Sequence, residues 1–147
     1  MRIGEFLKNL HQRLVTCRPD DTLETVAKAM HTHGIGALPV CETANRMVGI
    51  VSERDLVRAL ATTDWAELTY IRIRDVMTSQ PKSCEVDDDI HDAEQLMRKF
   101  NFRHVPVIET GRVVGMLSIR DTQALRLQES ANEINLLRDA VVAARYR

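Results

Sequence analysis

Ser52-Glu53-Arg54-Asp55 and Ser118-Ile119-Arg120-Asp121 carry the same three polar side chains at the same spacing. Each group follows an apolar run, Gly49-Ile50-Val51 or Gly115-Met116-Leu117, and each precedes a helix-like segment. A serine at the start of a helix, with an aspartate three residues on, gathers a hydroxyl, a carboxylate and unpaired backbone N–H groups at one point. Such a point attracts anions and accepts hydroxyl protons. The same residues also form an ordinary capping box, which stabilises a helix start and does nothing else. Other chemistry is poorly supplied. His31 and His33 stand two apart on a helix and point to different sides, so with Cys17 they make no metal site. Cys17, Cys41 and Cys84 are odd in number and widely spaced, which fits small core residues better than a disulfide framework. Asp20-Asp21 and Asp87-Asp88-Asp89 pair carboxylates, but helix capping accounts for them, and no nucleophile has a base nearby.

The elements that position these groups are written twice. With an offset of 67, Cys17 falls on Cys84, Asp20-Asp21 on Asp87-Asp88, Met30 on Met97, Pro39-Val40 on Pro106-Val107 and Glu42-Thr43 on Glu109-Thr110. One residue near Ala44 is extra in the first copy; after it Arg46, Val48, Gly49, Ser52, Arg54 and Asp55 match Arg112, Val114, Gly115, Ser118, Arg120 and Asp121. Each copy predicts a short strand (Leu14–Cys17; Lys82–Cys84) and a helix capped by Asp21 or Asp88. The helices end at left-handed positions near Gly34 and Asn101. Next comes a strand holding Pro39 or Pro106, placed at an edge or where its missing N–H is not needed. A turn, a second strand and a second helix complete the copy. The expected segments are 3–63 as first unit, 64–77 as linker, 78–126 as second unit and 127–147 as a further helix. Trp65 reads as linker packing. In the last helix Leu127, Ile134, Leu137, Val141 and Ala144 follow three- and four-residue steps interrupted by Ser130, either packing on their own domain or meeting a second copy.

Composition bounds the rest. The 147 residues suffice for one core, with 44% hydrophobic and 28% charged residues. Twenty basic residues against 21 acidic ones give a net charge of −1, a poor balance for gripping nucleic acid through phosphates. No apolar run approaches a bilayer span, the N-terminus lacks a signal-peptide pattern, and the cysteine usage suits a reducing cytoplasm.

The doubled order of strand, helix, Pro-Val strand, turn, Gly-apolar-apolar-Ser-x-Arg-Asp and helix, with Arg74-Asp75-Val76-Met77-Thr78 leading into the second copy, resembles a tandem CBS-domain pair, or Bateman module. The resemblance covers residues 3–126. It implies an α+β fold: a duplicated β-α-β-β-α unit packed about a pseudo-twofold axis, followed by a C-terminal helix. It also implies two clefts for adenosine-containing ligands (AMP, ADP, ATP, NAD or S-adenosylmethionine), a regulatory role on another protein without catalysis, and a homodimer. On this pattern Asp55 and Asp121 hold ribose hydroxyls, while Ser52 and Ser118 hold phosphate at helix N-termini. Cleft one takes Ser52 and Asp55, with Ser83 and Cys84 near adenine and Arg103, His104 and Arg120 near phosphate. Cleft two takes Ser118 and Asp121, with Thr16 and Cys17 near adenine, Ile35, Gly36, Ala37 and Leu38 along the base, and Arg54 near phosphate. Because Arg103-His104 stands where the first copy has Gly36-Ala37, cleft one is expected to carry more positive charge. Two other readings remain: a scaffold with empty clefts that acts through its C-terminal helix, and a nucleic-acid-binding regulator.

Overall fold

The computed structural model describes residues 1–146. The first copy supplies helix α1 (Ile3–Leu10), helix α2 (Leu23–His33), strands β1 (Ala37–Cys41) and β2 (Met47–Ser52), and helix α3 (Glu53–Thr62). A short helix α4 (Ile73–Val76) and strands β3 (Thr78–Ser79) and β4 (Cys84–Glu85) lead to helix α5 (Ile90–Phe100), strands β5 (His104–Glu109) and β6 (Arg112–Ser118), and helix α6 (Ile119–Arg145). The sheets are ordered β1-β2-β3 and β4-β5-β6. The expected first strand shrinks to one parallel bridge, Cys17 with Val40. Its counterpart β4 pairs in parallel with Val107 and Ile108 only, beginning just past Pro106, so the proline's missing N–H costs no ladder bond.

Local signals explain the element ends. Helices α2 and α5 stop at Gly34 (φ 62°) and Asn101 (φ 56°), both left-handed, with their N–H groups turned back to the last helical carbonyls. The caps lie one residue later than expected. Thr22 accepts from the Thr25 N–H at 3.1 Å and Asp89 from the His91 N–H at 2.8 Å. Asp21 and Asp88 instead close the preceding turns by accepting from the N–H groups of Arg18 (2.9 Å) and Glu85 (2.8 Å). The hairpin of the second copy turns on Thr110-Gly111, both at positive φ, the two-residue form that matches strand twist. The first copy spends its extra residue on a looser turn, Thr43–Asn45, with Ala44 and Asn45 left-handed.

The packing units do not follow the sequence boundaries. Helix α1 opens the chain but buries Ile3 and Phe6 with Cys84, Ile90, Met97 and Leu117 of the second copy. Helix α4 buries Ile73 with Val26, Leu38, Val40 and Val51 of the first. The exchange is written identically on both sides: Ile3 and Gly4 N–H groups donate to Asp88 and Val86 carbonyls, and Ile73 and Arg74 N–H groups donate to Asp21 and Pro19 carbonyls, all at 2.8–3.0 Å. Strand β3 continues the exchange by pairing with β2 of the first copy. Each fully buried isoleucine contributes about 1.5–3 kcal/mol to holding the copies together.

That exchange explains the repeated glycine. A Cβ on Gly49 would lie 2.6 Å from Met77 Sδ and 2.9 Å from the Thr78 carbonyl oxygen; one on Gly115 would lie 2.7 Å from Leu7 Cδ1. Gly49→Ala is therefore expected to destabilise by about 1–3 kcal/mol, because backbone must move. Gly115→Ala should cost less, since only the end of a leucine gives way. Denaturant midpoints of the two variants compare them directly; equal midpoints would refute the close-approach explanation.

One expectation fails and another holds. Trp65, expected to pack in the linker, is 83% exposed. The helix expected to continue from the second unit to the C-terminus does so: α6 runs unbroken for 27 residues, through Ser130, because serine at a single helical position costs too little to stop it.

Candidate functional site

Both capping boxes form, and each leaves chemistry to spare. Asp121 Oδ2 accepts from the Ser118 N–H, and the Ser118 hydroxyl accepts from the Asp121 N–H, both at 3.1 Å. Asp55 Oδ2 accepts from the Ser52 N–H at 2.8 Å and from the Ser52 hydroxyl at 3.1 Å. The second oxygen differs. Asp55 Oδ1 lies 3.3 Å from Arg58 Nη1, whereas Asp121 Oδ1 has no hydrogen-bond donor among the described residues. Capping thus occupies one oxygen of each carboxylate, and both aspartates line a cavity.

The first cavity, about 460 Å³, is lined by Ser52, Arg54 and Asp55 with Thr78, Gln80, Pro81, Lys82, Phe100, Phe102, Arg103 and His104. The second, about 890 Å³, is lined by Ser118, Arg120 and Asp121 with Arg13, Leu14, Val15, His31 and Ile35. Gly36, Ala37, Glu53, Arg103 and His104 line both, so the two cavities share a wall. That wall is built symmetrically. Glu53 N–H donates to the Gly36 carbonyl at 2.9 Å, and the equivalent Ile119 N–H donates to the Arg103 carbonyl at 2.8 Å. Gly36 leaves room for the Glu53 carboxylate and the His104 ring; a Cβ there would sit 2.7 Å from Glu53 Oε1 and 3.3 Å from His104 Cε1. Burial pushes the His104 imidazole below its ordinary value, against the pull of Glu53 and Asp121, and Arg103 pushes the same way as burial. Near neutral pH the ring is therefore a neutral hydrogen-bonding group and adds no positive charge.

Several expected residues lie elsewhere. Arg54 stands beside Asp55 in the first cavity and Arg120 beside Asp121 in the second, each at its own helix start and not across the interface. Cys17 and Cys84 are core thiols, raised to about 12 and about 11 by burial, and Leu38 is fully buried. Thr16 and Ser83 line neither cavity; the residues just before them do, Gln12 to Val15 in one and Gln80 to Lys82 in the other. The expected charge contrast disappears as well. Arg54, Lys82 and Arg103 serve the first cavity, and Arg13, Arg103 and Arg120 the second. What distinguishes the cavities is volume and aromaticity. Phe100 and Phe102 stack with centroids 6.3 Å apart, and Lys82 Nζ sits 4.2 Å above Phe100. The repeat held the clue to this platform, since Ile35 aligns with Phe102 at the same offset of 67.

Comparison with known proteins decides the family. The CBS domain pattern matches residues 3–62 and 73–122. The chain belongs to the CBS domain family. A CBS-domain containing protein from Agrobacterium tumefaciens superposes with TM-score 0.78 at 32% identity, covering 86% of this chain and 99% of that one. A CBS domain protein from Pyrobaculum aerophilum, solved in complex with AMP, matches at TM-score 0.73 and 32% identity, over 82% of this chain and 89% of that one. An uncharacterised 17.7 kDa protein of Acidianus ambivalens is 34% identical over 110 residues, 74% of this chain. The chain spans 65% of that relative's own length. As a CBS pair, the molecule has two CBS repeats, two three-stranded sheets and a long final helix; among the described residues no helix is long and apolar enough to cross a membrane.

Proposed function

We propose that this CBS pair is a regulatory module that binds adenine nucleotides in its two clefts and acts on another protein. The observation that carries the reading is the doubled Ser-x-x-Asp at two cavity mouths, each with an aspartate oxygen left over after capping. The carboxylate oxygen not used in capping accepts ribose hydroxyls, shared with Arg58 in the case of Asp55, and the N–H groups of the helix start, with Arg54 or Arg120, receive phosphate. In the smaller cleft Phe102 and Phe100 offer a face for the adenine ring. Its volume suits a mononucleotide such as AMP, the ligand of the Pyrobaculum relative; the larger cleft has room for a longer ligand such as ATP or NAD.

Thermal unfolding with AMP, ATP, NAD and S-adenosylmethionine tests this. A true ligand at 100 times its Kd stabilises by about 2.7 kcal/mol, a rise of roughly 5–10 °C for a chain of this size. No shift with any of the four would leave the empty-cleft scaffold as the better account. Retention on nucleic acid that collapses with salt would favour the nucleic-acid reading instead.

A further inference from the structure

Helix α6 changes character part-way along. Up to Glu129 it is held to the body: Arg126 reaches Glu94 at 3.3 Å, and His91 Nε2 lies 3.6 Å from Glu129. From Leu127 to Tyr146 every residue is exposed, including Leu127, Ile134, Leu137 and Val141, which are 51–73% accessible. Most helices in proteins owe their stability to packing an apolar face, and here that face is exposed. Its side chains nevertheless repeat in sevens. Leu127, Ile134 and Val141 take the a positions, and Ser130, Leu137 and Ala144 the d positions. Ile134 and Val141 at a with Leu137 at d match the combination that favours two parallel strands over higher assemblies, while the small Ser130 and Ala144 fill the other d positions. The flanking charges agree: Glu133 at g stands five residues before Arg138 at e, the spacing at which g of one strand meets e of the other. By symmetry that pair occurs twice.

We infer that residues 127–145 pair with the same segment of a second copy as a parallel, in-register two-stranded coiled coil. The occupant of the exposed stripe is the stripe itself. This pairing sets both bodies at the same end of the coil. It also links the Ser118–Asp121 helix start of each copy, through one continuous helix, to the contact between copies.

The full chain is expected to sediment as a dimer. Ile134→Asp with Leu137→Asp gives a monomer whose body still unfolds cooperatively at an unchanged midpoint. Glu133→Lys raises the dimer dissociation constant roughly tenfold, two pairs being lost at once, and Arg138→Glu in the same chain restores it. Ser130→Cys forms an intermolecular disulfide on mild oxidation, because d faces d only in the parallel register and the three native thiols are buried. A wild-type monomer at all concentrations overturns the inference. So does a dimer indifferent to the Ile134 and Leu137 changes, or a Ser130→Cys chain that does not cross-link.

Discussion

Asp121→Asn is expected to weaken nucleotide binding in the larger cleft roughly 10- to 100-fold while leaving the unliganded protein almost as stable as before. The two effects separate because the two carboxylate oxygens do different things. Oδ2 accepts the Ser118 N–H, a bond the asparagine oxygen also accepts, and loss of a cap costs about 1 kcal/mol even when complete. Oδ1 has no donor among the described residues, Asp121 lines the cavity, and hydrogen bonds from ribose hydroxyls to a charged acceptor contribute about 1.5–3 kcal/mol. Asp55→Asn should show the same pattern in the smaller cleft with a smaller loss, since Arg58 already shares Asp55 Oδ1. Calorimetric titration of each variant with AMP and ATP, beside denaturant unfolding without ligand, reads both quantities. If binding survives and only stability falls, the repeated motif is a pair of capping boxes and the ribose assignment is wrong.

The repeat made much of this legible beforehand. A Ser-x-x-Asp after an apolar run, seen twice in register, locates two helix starts, and Gly34 and Asn101 locate two helix ends, because those signals are local. The misses share a different cause. Asp21 and Asp88 look like caps, but a carboxylate accepts whichever N–H the turn brings nearest, and here the turn brings those of Arg18 and Glu85. The segments Gln12 to Val15 and Gln80 to Lys82 line the cavities where Thr16 and Ser83 were expected, since where a loop runs against a cleft depends on the tertiary packing around it and not on a local signal. The exchange of α1 and α4 between copies is invisible to periodicity, which says which face of a helix is apolar but not which core receives it. Assigning Arg54 and Arg120 across the interface failed for a related reason: both side chains stay at the helix start that carries them.

Glu94 carries the largest stability prediction. It lies on the inner face of α5, only 1% exposed, with Oε1 2.6 Å from Arg98 Nη2 and Oε2 3.3 Å from Arg126 Nη2. Neither contact has good hydrogen-bond geometry, so the carboxylate depends on charge pairing alone. The two guanidinium groups are half exposed, and water would solvate them well without Glu94; the carboxylate has no such alternative. Replacing both arginines by methionine, which keeps their apolar stems, should therefore destabilise by about 3 kcal/mol, the cost of a buried charge without a partner. Adding Glu94→Leu to that chain should recover most of the loss, because a hydrophobic side chain in a buried ion pair's place is often neutral or better. If the arginines mattered mainly for their own packing, Glu94→Leu would recover nothing, and the unfolding midpoints would say so. The single change Arg126→Met isolates the part that ties α6 to α5. It should loosen the helix where the body ends and the exposed stripe begins, so faster hydrogen exchange from Leu125 to Glu129, with α5 unaffected, is the expected sign that this ion pair sets the length of helix left free to pair.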